Sequence, residues 1–364
     1  MRLMDLHRRF SRTLNYIRFG DEVRIDAASH CQLRCPVCQE WDLKARVGGG
    51  YLRFEDFRTF VDRYENFRRI ELSNNGEIFL NPDLTSIIEY AHGKQIELRA
   101  ENGVNLNHIR DDTIEALVRF GFKSINVSID GASDETYAIY RKRGSFSRVI
   151  ENVSKINACK AAFGSQEPRL KWRFIVFGHN EHEIPAARRM AEGLNMAFEL
   201  LPNVEPGYAP LKDPDFVARE MGYASMAERE QAGRGTAGAG WYCTGLWERV
   251  QINWDGRLLG CCVNTRPFQH NVFEVGLGKA IRAKDYRRAK QMLAGKDVGE
   301  APTICSDCGI YRERVARKDF VDLGRFRDAQ WRRLRASVAG ALGRRRWMRA
   351  VGAAVRGVPD GGPR

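Results

Sequence analysis

The stretch EVRIDAASHCQLRCPVC, Glu22 to Cys38, joins a short β-type run to three cysteines packed within eight residues. No fourth cysteine follows nearby. A structural zinc knuckle wants four ligands and a disulfide framework an even number, so the set is one short for either. Thiolates are soft ligands that suit zinc or an iron–sulfur cluster. On a cube of four irons, Cys31, Cys35 and Cys38 leave one iron without a protein ligand, and an open iron accepts an outside one. The structural alternative is zinc held by the three thiolates and the imidazole of His30, which adjoins Cys31.

Outward from this loop, β-type runs alternate with helical patterns. Strands are expected at 22–28, 68–74, 95–102, 123–130, 170–177 and 197–203, with amphipathic helices between them. Strands separated in this way predict βαβ units, hence an α/β fold built as a partial (β/α)6 barrel. In such sheets ligands sit outside the carboxyl ends of the strands. The cysteine loop, NNGE at 74–77, ENG at 101–103 and SIDG at 128–131 all fall at those ends. The expected organisation is a lead-in over 1–22, the barrel over 23–203 and a Gly-, Pro- and Ala-rich linker over 204–240. A cysteine-bearing module over 241–310 and a basic helical tail over 311–364 follow.

The 364 residues are enough to bury a sizeable core, and a hydrophobic fraction of 43% excludes wholesale disorder. No apolar run is long enough to span a bilayer, and the basic start MRLMDLHRRF has no apolar stretch after it. The expected location is the cytoplasm. Net charge is +13, but the tail from Tyr311 onward holds 15 Lys and Arg against 5 Asp and Glu, most of that surplus. The tail reads as a solvated helix, or as a surface for an acidic partner, RNA or a membrane. Nine cysteines without a signal peptide point to metal or redox chemistry rather than disulfides. Cys159, alone in a helical pattern, reads as a buried core thiol.

The C-x3-C-x2-C spacing in the loop after the first strand of a βα barrel resembles the radical SAM superfamily, over roughly Val23 to Asn203. That resemblance implies S-adenosylmethionine chelated to the open iron of a [4Fe–4S] cluster. One electron would cleave it to a 5′-deoxyadenosyl radical that abstracts hydrogen from substrate. It also implies a reducing partner such as a flavodoxin or ferredoxin. By the same resemblance, Gly76 and Glu77 stand where the family holds the methionine amino group, and Ser128 and Asp130 where it contacts ribose. Arg141 stands where related enzymes pair the methionine carboxylate, with Arg143 a neighbouring claimant. Asn75 replaces a usual glycine, Ile78 a usual proline, and Val37 an aromatic residue that often stacks near adenine.

The second cysteine group, WYCTGLWERVQINWDGRLLGCC at 241–262, reads as a cysteine, a hairpin turning at Trp254-Asp255-Gly256, and a cysteine pair. Cys305 and Cys308 follow a helical stretch, and a zinc ribbon is the plain structural reading. The order C-x17-C, helix, C-x2-C resembles the twitch domain, a shortened SPASM module. This implies an auxiliary [4Fe–4S] cluster on Cys243, Cys261, Cys305 and Cys308. Cys262 would turn to the other face as packing if the segment is extended. Similarity to twitch-type aminocyclitol dehydrogenases implies oxidation of a small sugar-, cyclitol- or nucleoside-like substrate, with the auxiliary cluster as electron relay. Epimerisation is the next reading. No general base is placed; Arg173 is a candidate catalytic residue only if its strand has the expected register, and structural pairing is the preferred role for it. Peptide modification and a zinc-binding, RNA-associated protein compete. The short segment before Val23 argues against the first, and Glu77, Ser128 and Asp130 at strand ends argue against the second.

Overall fold

Strands form at all six β-type runs: β1 (Glu22–Ile25), β2 (Arg69–Glu71), β3 (Glu97–Val104), β4 (Ser124–Ser128), β5 (Arg169–Val176) and β6 (Ala197–Pro202). They come from a computed structural model that describes residues 14–16, 19–38, 40–205, 207–225, 228, 240–299 and 301–336. Each strand pairs in parallel with its sequence neighbour. The helices between them are α1 (Glu40–Val47), α2 (Phe54–Arg63), α3 (Leu84–Gly93), α4 (Asp111–Arg119), α5 (Asp134–Tyr140), α6 (Phe146–Phe163) and α7 (Ile184–Gly193). Serine side chains cap α5 and α6, with Ser133 accepting from Thr136 N–H and Ser145 from Arg148 N–H.

Strand β5 shows why the sheet curls as it does. Leu170, Trp172, Phe174 and Val176 are buried on one face, while Lys171, Arg173 and Ile175 alternate on the other. Residues two apart share a face of a strand, so the first set packs under helices and the second, mostly charged, lines the barrel interior. The polar face is also matched in register. Arg24 lies opposite Glu71 and Glu71 opposite Arg99, so opposite charges neighbour one another across three strands.

Beyond β6 the structure departs from the expected linker. The stretch 204–240 carries α8 (Pro214–Met221), whose first turn Asp213 caps through Phe216 N–H. Cys243 lies on a helix, α9 (Gly240–Glu248), that precedes the expected hairpin. The hairpin itself forms as β7 (Gln251–Ile252) and β8 (Leu258–Gly260), turning through Gly256 at a φ of +86°. Its strands extend the barrel sheet to eight, in the order β6-β5-β4-β3-β2-β1-β7-β8, with β7 parallel to β1. The helical stretch after it divides into α10 (Val272–Val275), α11 (Leu277–Ala280) and α12 (Lys284–Leu293), and α13 (Gly309–Ala316) follows Cys308.

Residues 323–336 of the basic tail are helical and are not simply solvated. Phe326 stacks on Trp247 of α9 with ring centroids 5.1 Å apart, and Lys290 lies over the same indole. Residues 337–364 of the tail lie outside the described residues. Cys159 is half-buried on α6 rather than fully enclosed. No helix among the described residues is long and apolar enough to cross a membrane.

Trp172 is fully buried, and its indole N–H donates to the Ile129 carbonyl at 2.8 Å, tying β5 to the end of β4. Trp172→Ala is expected to cost about 3–5 kcal/mol by cavity formation. Urea denaturation checks this, and a loss below about 1 kcal/mol would show that the barrel wall does not depend on it.

Candidate active site

One cavity of about 610 Å³ opens at the carboxyl ends of β1 to β6, and Cys31, Cys35, Cys38, Gly76, Glu77, Ser128, Arg141 and Arg173 all line it. The strand-end loops therefore converge as their positions imply. Two hydrogen-bond donors are directed at the cysteine sulfurs. Asn105 Nδ2 donates to Cys31 Sγ at 3.4 Å and Arg141 Nη1 to Cys35 Sγ at 3.7 Å. Donors of this kind suit thiolates rather than neutral thiols. Burial by itself pushes the Cys35 thiol up, against the pull of Arg141. A small apolar cluster of Leu33, Tyr140 and Phe177, with Val37 and Tyr208 against it, shields the loop from water.

Glu77 and Gly76 are held by backbone geometry. Gly76 has a φ of +67°, and a Cβ there would lie 2.8 Å from the Ala28 and His30 carbonyls, so a side chain is excluded. Glu77 is fully buried. It accepts from Asn105 N–H at 2.6 Å and Phe79 N–H at 3.3 Å, which ties the β2 rim to the β3 rim. Desolvation raises its carboxyl from 4.5 to about 7, against those hydrogen bonds. Gly103, at a φ of +120°, forms part of a bulge where a Cβ would come 2.7 Å from Ser128 Oγ, so the serine hydroxyl stays open to the cavity.

Asp130 requires a correction. It does not line the cavity and is fully buried behind it. Its carboxylate accepts from Arg141 Nε at 2.5 Å and Ile175 N–H at 2.7 Å, which leaves it orienting the guanidinium rather than reaching a sugar. The two arginines also separate. Arg141 enters the cavity, its guanidinium 5.1 Å from the Tyr140 ring centroid. Arg143, at a φ of +70°, points to a different surface depression with Gln32, Asn107 and His108. Arg173 lines the cavity, but its Nη1 donates to the Glu101 and Asn102 carbonyls and its Nε lies 3.5 Å from Glu199. These contacts are of the pairing kind preferred for it from the sequence. His30 turns its ring toward Tyr51, with centroids 5.2 Å apart, and is not part of the cavity wall.

Away from the cysteines the cavity is lined by charge: Glu22, Arg24, Glu71, Arg99, Glu101 and Lys171 among others. These residues carried a legible signal, because they recur at every second position of expected strands. Glu71 is 7% exposed and accepts from Ser73 Oγ at 2.6 Å and Glu101 N–H at 3.0 Å. Desolvation raises it to about 7. Tyr208, in the expected linker, packs on Tyr140 and Phe177.

The later cysteines form a second set. Cys305 is buried, and the charges that act on it are those of Cys261, Cys308 and Cys243, which brings these four thiols into one neighbourhood. Burial pushes Cys243 up to about 11 and Cys261 to about 12, so only a strong positive centre would make them thiolates. Cys262 belongs elsewhere. Its carbonyl accepts from Asn74 Nδ2 at 3.0 Å, and the residue lines the barrel cavity, of which Cys261 is not a lining residue. Among the described residues, no three His, Cys, Asp or Glu side chains close on a single metal ion. A cube of irons holds its cysteines farther apart than one ion does, so the lack of a single-ion site does not count against a cluster at either set.

Residues 27–188 match the model of the radical SAM superfamily, and residues 243–309 match that of the SPASM iron–sulfur cluster-binding domain. A GTP 3′,8-cyclase of Nautilia profundicola is 22% identical over 310 residues, covering 78% of this chain and 90% of that protein. A GTP 3′,8-cyclase of Rhodopseudomonas palustris is 24% identical over 200 residues, covering 53% of each. Among solved structures, Streptococcus suis SuiB bound to S-adenosylmethionine aligns with a TM-score of 0.56 at 14% identity, covering 85% of this chain and 76% of that one.

Glu77→Gln mimics the protonated carboxyl, so its stability relative to the native chain depends on pH. The folded carboxyl ionises near 7 and the unfolded one near 4.5. The stability due to bound proton is complete below the lower value and lost as pH rises through the higher. The Gln variant therefore gains on the native, cluster-free chain between these limits, by about 3 kcal/mol at the plateau. Denaturation at a series of pH values measures it, and a difference that stays flat would refute the raised ionisation.

Proposed function

We propose, from a chain in which a radical SAM superfamily domain is joined to a SPASM iron–sulfur domain, that this enzyme oxidises a small polar substrate by hydrogen-atom abstraction. The observation that carries the reading is Cys262. It lines the cavity shared with Cys31, Cys35 and Cys38, and it adjoins Cys261 of the second cysteine set. A site for radical generation and a site for an electron acceptor thus border one substrate space.

The residues divide by role. Cys31, Cys35 and Cys38 would hold a [4Fe–4S] cluster with one open iron, and Cys243, Cys261, Cys305 and Cys308 a closed auxiliary one. With S-adenosylmethionine bound, the open cluster supplies a carbon radical strong enough to remove hydrogen from an unactivated C–H bond. Arg141, fixed by Asp130, pairs the cofactor's carboxylate, and the Gly76–Glu77 rim accepts from its ammonium. Ser128 Oγ meets the ribose. Arg24, Arg99 and Lys171 bind the polar substrate from the opposite end, which suits a sugar, cyclitol or nucleotide-like molecule. A relative named for GTP makes a nucleotide a specific member of that class to test. Glu71, ionising near 7 and facing the cavity, is the group to accept a substrate hydroxyl proton. A flavodoxin- or ferredoxin-like donor would supply electrons.

Epimerisation is the second reading, favoured by the same Cys262, because a thiol in the cavity wall can return a hydrogen atom to a carbon radical. The two differ in what Cys262→Ala does. Substrate oxidation survives that change, whereas an epimerase would release 5′-deoxyadenosine without forming epimer.

Anaerobic purification should yield about eight irons per chain with matching sulfide, and dithionite plus S-adenosylmethionine should release 5′-deoxyadenosine. Cys35→Ala is expected to abolish that release. Cys305→Ala should retain it while substrate turnover stops. Stoichiometric zinc with no cleavage would sink the proposal.

A further inference from the structure

Arg314 lies on α13, the helix that Cys308 precedes, and its side chain is only 4% exposed. Its contacts do not account for that burial. Nη2 reaches Asp319 Oδ1 at 3.4 Å, but the Asp319 side chain is itself 51% exposed and largely solvated. Nη1 is buried and has no hydrogen-bond partner among the described residues. A guanidinium taken out of water with one long contact lacks compensating negative charge, and an orphaned donor of this kind signals a missing acceptor. Arg314 is also the charge that acts most strongly on Cys243, whose other charged neighbours include Cys308. A cluster held by four thiolates carries net negative charge, and both hydrogen bonds to its sulfurs and nearby cations set its potential.

We infer that Arg314 is directed through Nη1 at the auxiliary cluster site and that its fixed charge raises that cluster's reduction potential. The inference rests on the four-cysteine reading above and goes one step beyond it. A raised potential favours acceptance of an electron, which distinguishes an oxidising relay from a donor. The cysteine triad has its own cation in Arg141, held between Asp130 and Cys35, so the two sites are tuned by different residues.

The test is a redox titration of the full-length, reconstituted protein without S-adenosylmethionine, followed by electron paramagnetic resonance and absorbance. Arg314→Gln at native iron content should shift the auxiliary cluster toward the oxidised form at least tenfold, which is about 59 mV for one electron. The triad cluster in the same sample should not move. An unmoved auxiliary potential at full iron overturns the inference. If the Gln variant loses the auxiliary iron, Arg314→Lys decides. Iron retained with a near-native potential supports the role of the charge, whereas loss of iron in both variants makes the guanidinium's shape the requirement and overturns it. Failure of the native protein to bind about four irons at the later cysteines would instead refute the underlying cluster reading.

Discussion

Two backbone hydrogen bonds hold the two cysteine groups of this chain together. Arg24 N–H donates to the Val250 carbonyl at 3.1 Å and Asp26 N–H to the Ile252 carbonyl at 2.9 Å, which seats β7 beside β1. Strand β1 also leads directly into the cysteine loop, so one strand positions both the triad and the module. A two-residue strand gains little from its own ladder, and the junction is reinforced elsewhere. Tyr64 Oη on the barrel side accepts from Leu277 N–H at 2.7 Å, and Asn74 Nδ2 donates to the Cys262 carbonyl at 3.0 Å. If these contacts parted, the cavity would lose one wall and the auxiliary cysteines their place beside it.

The barrel interior follows a different constraint. Asp26, Glu71 and Glu77 are almost fully enclosed, and desolvation lifts each to about 7. They persist because backbone and amide N–H groups use them as acceptors, so each carboxyl ties neighbouring strand ends together. The charged ladder of Arg24, Glu71 and Arg99 keeps that interior polar without leaving isolated charge.

The barrel is largely legible in the sequence because its signals are local. Alternation of period two in LKWRFIVF, and helical patterns between such runs, need only neighbouring residues to be read. The triad is legible for the same reason, its spacing being set within one loop. Residues whose role depends on a turn or a distant partner are harder. Arg141 and Arg143 are two apart in sequence, yet one left-handed residue sends the second to another surface. Asp130 carries the right chemistry for a sugar, but Arg141 and the Ile175 amide occupy it first. Tyr208 reaches the triad from a Gly- and Pro-rich stretch with no periodicity to mark it.

The sequence by itself determined the six-strand α/β barrel, the open cysteine triad after its first strand and the existence of a second cysteine group. Those features rest on spacing and period, which act over a few residues. The tertiary structure decided that Cys261, Cys308 and Cys243 lie near enough to act on Cys305, while Cys262 lines the barrel cavity. It also decided that Asp130 serves Arg141 and that Arg314 is buried without a full partner. These outcomes depend on which face a short segment presents once β7 has paired with β1, and that pairing joins parts of the chain more than two hundred residues apart.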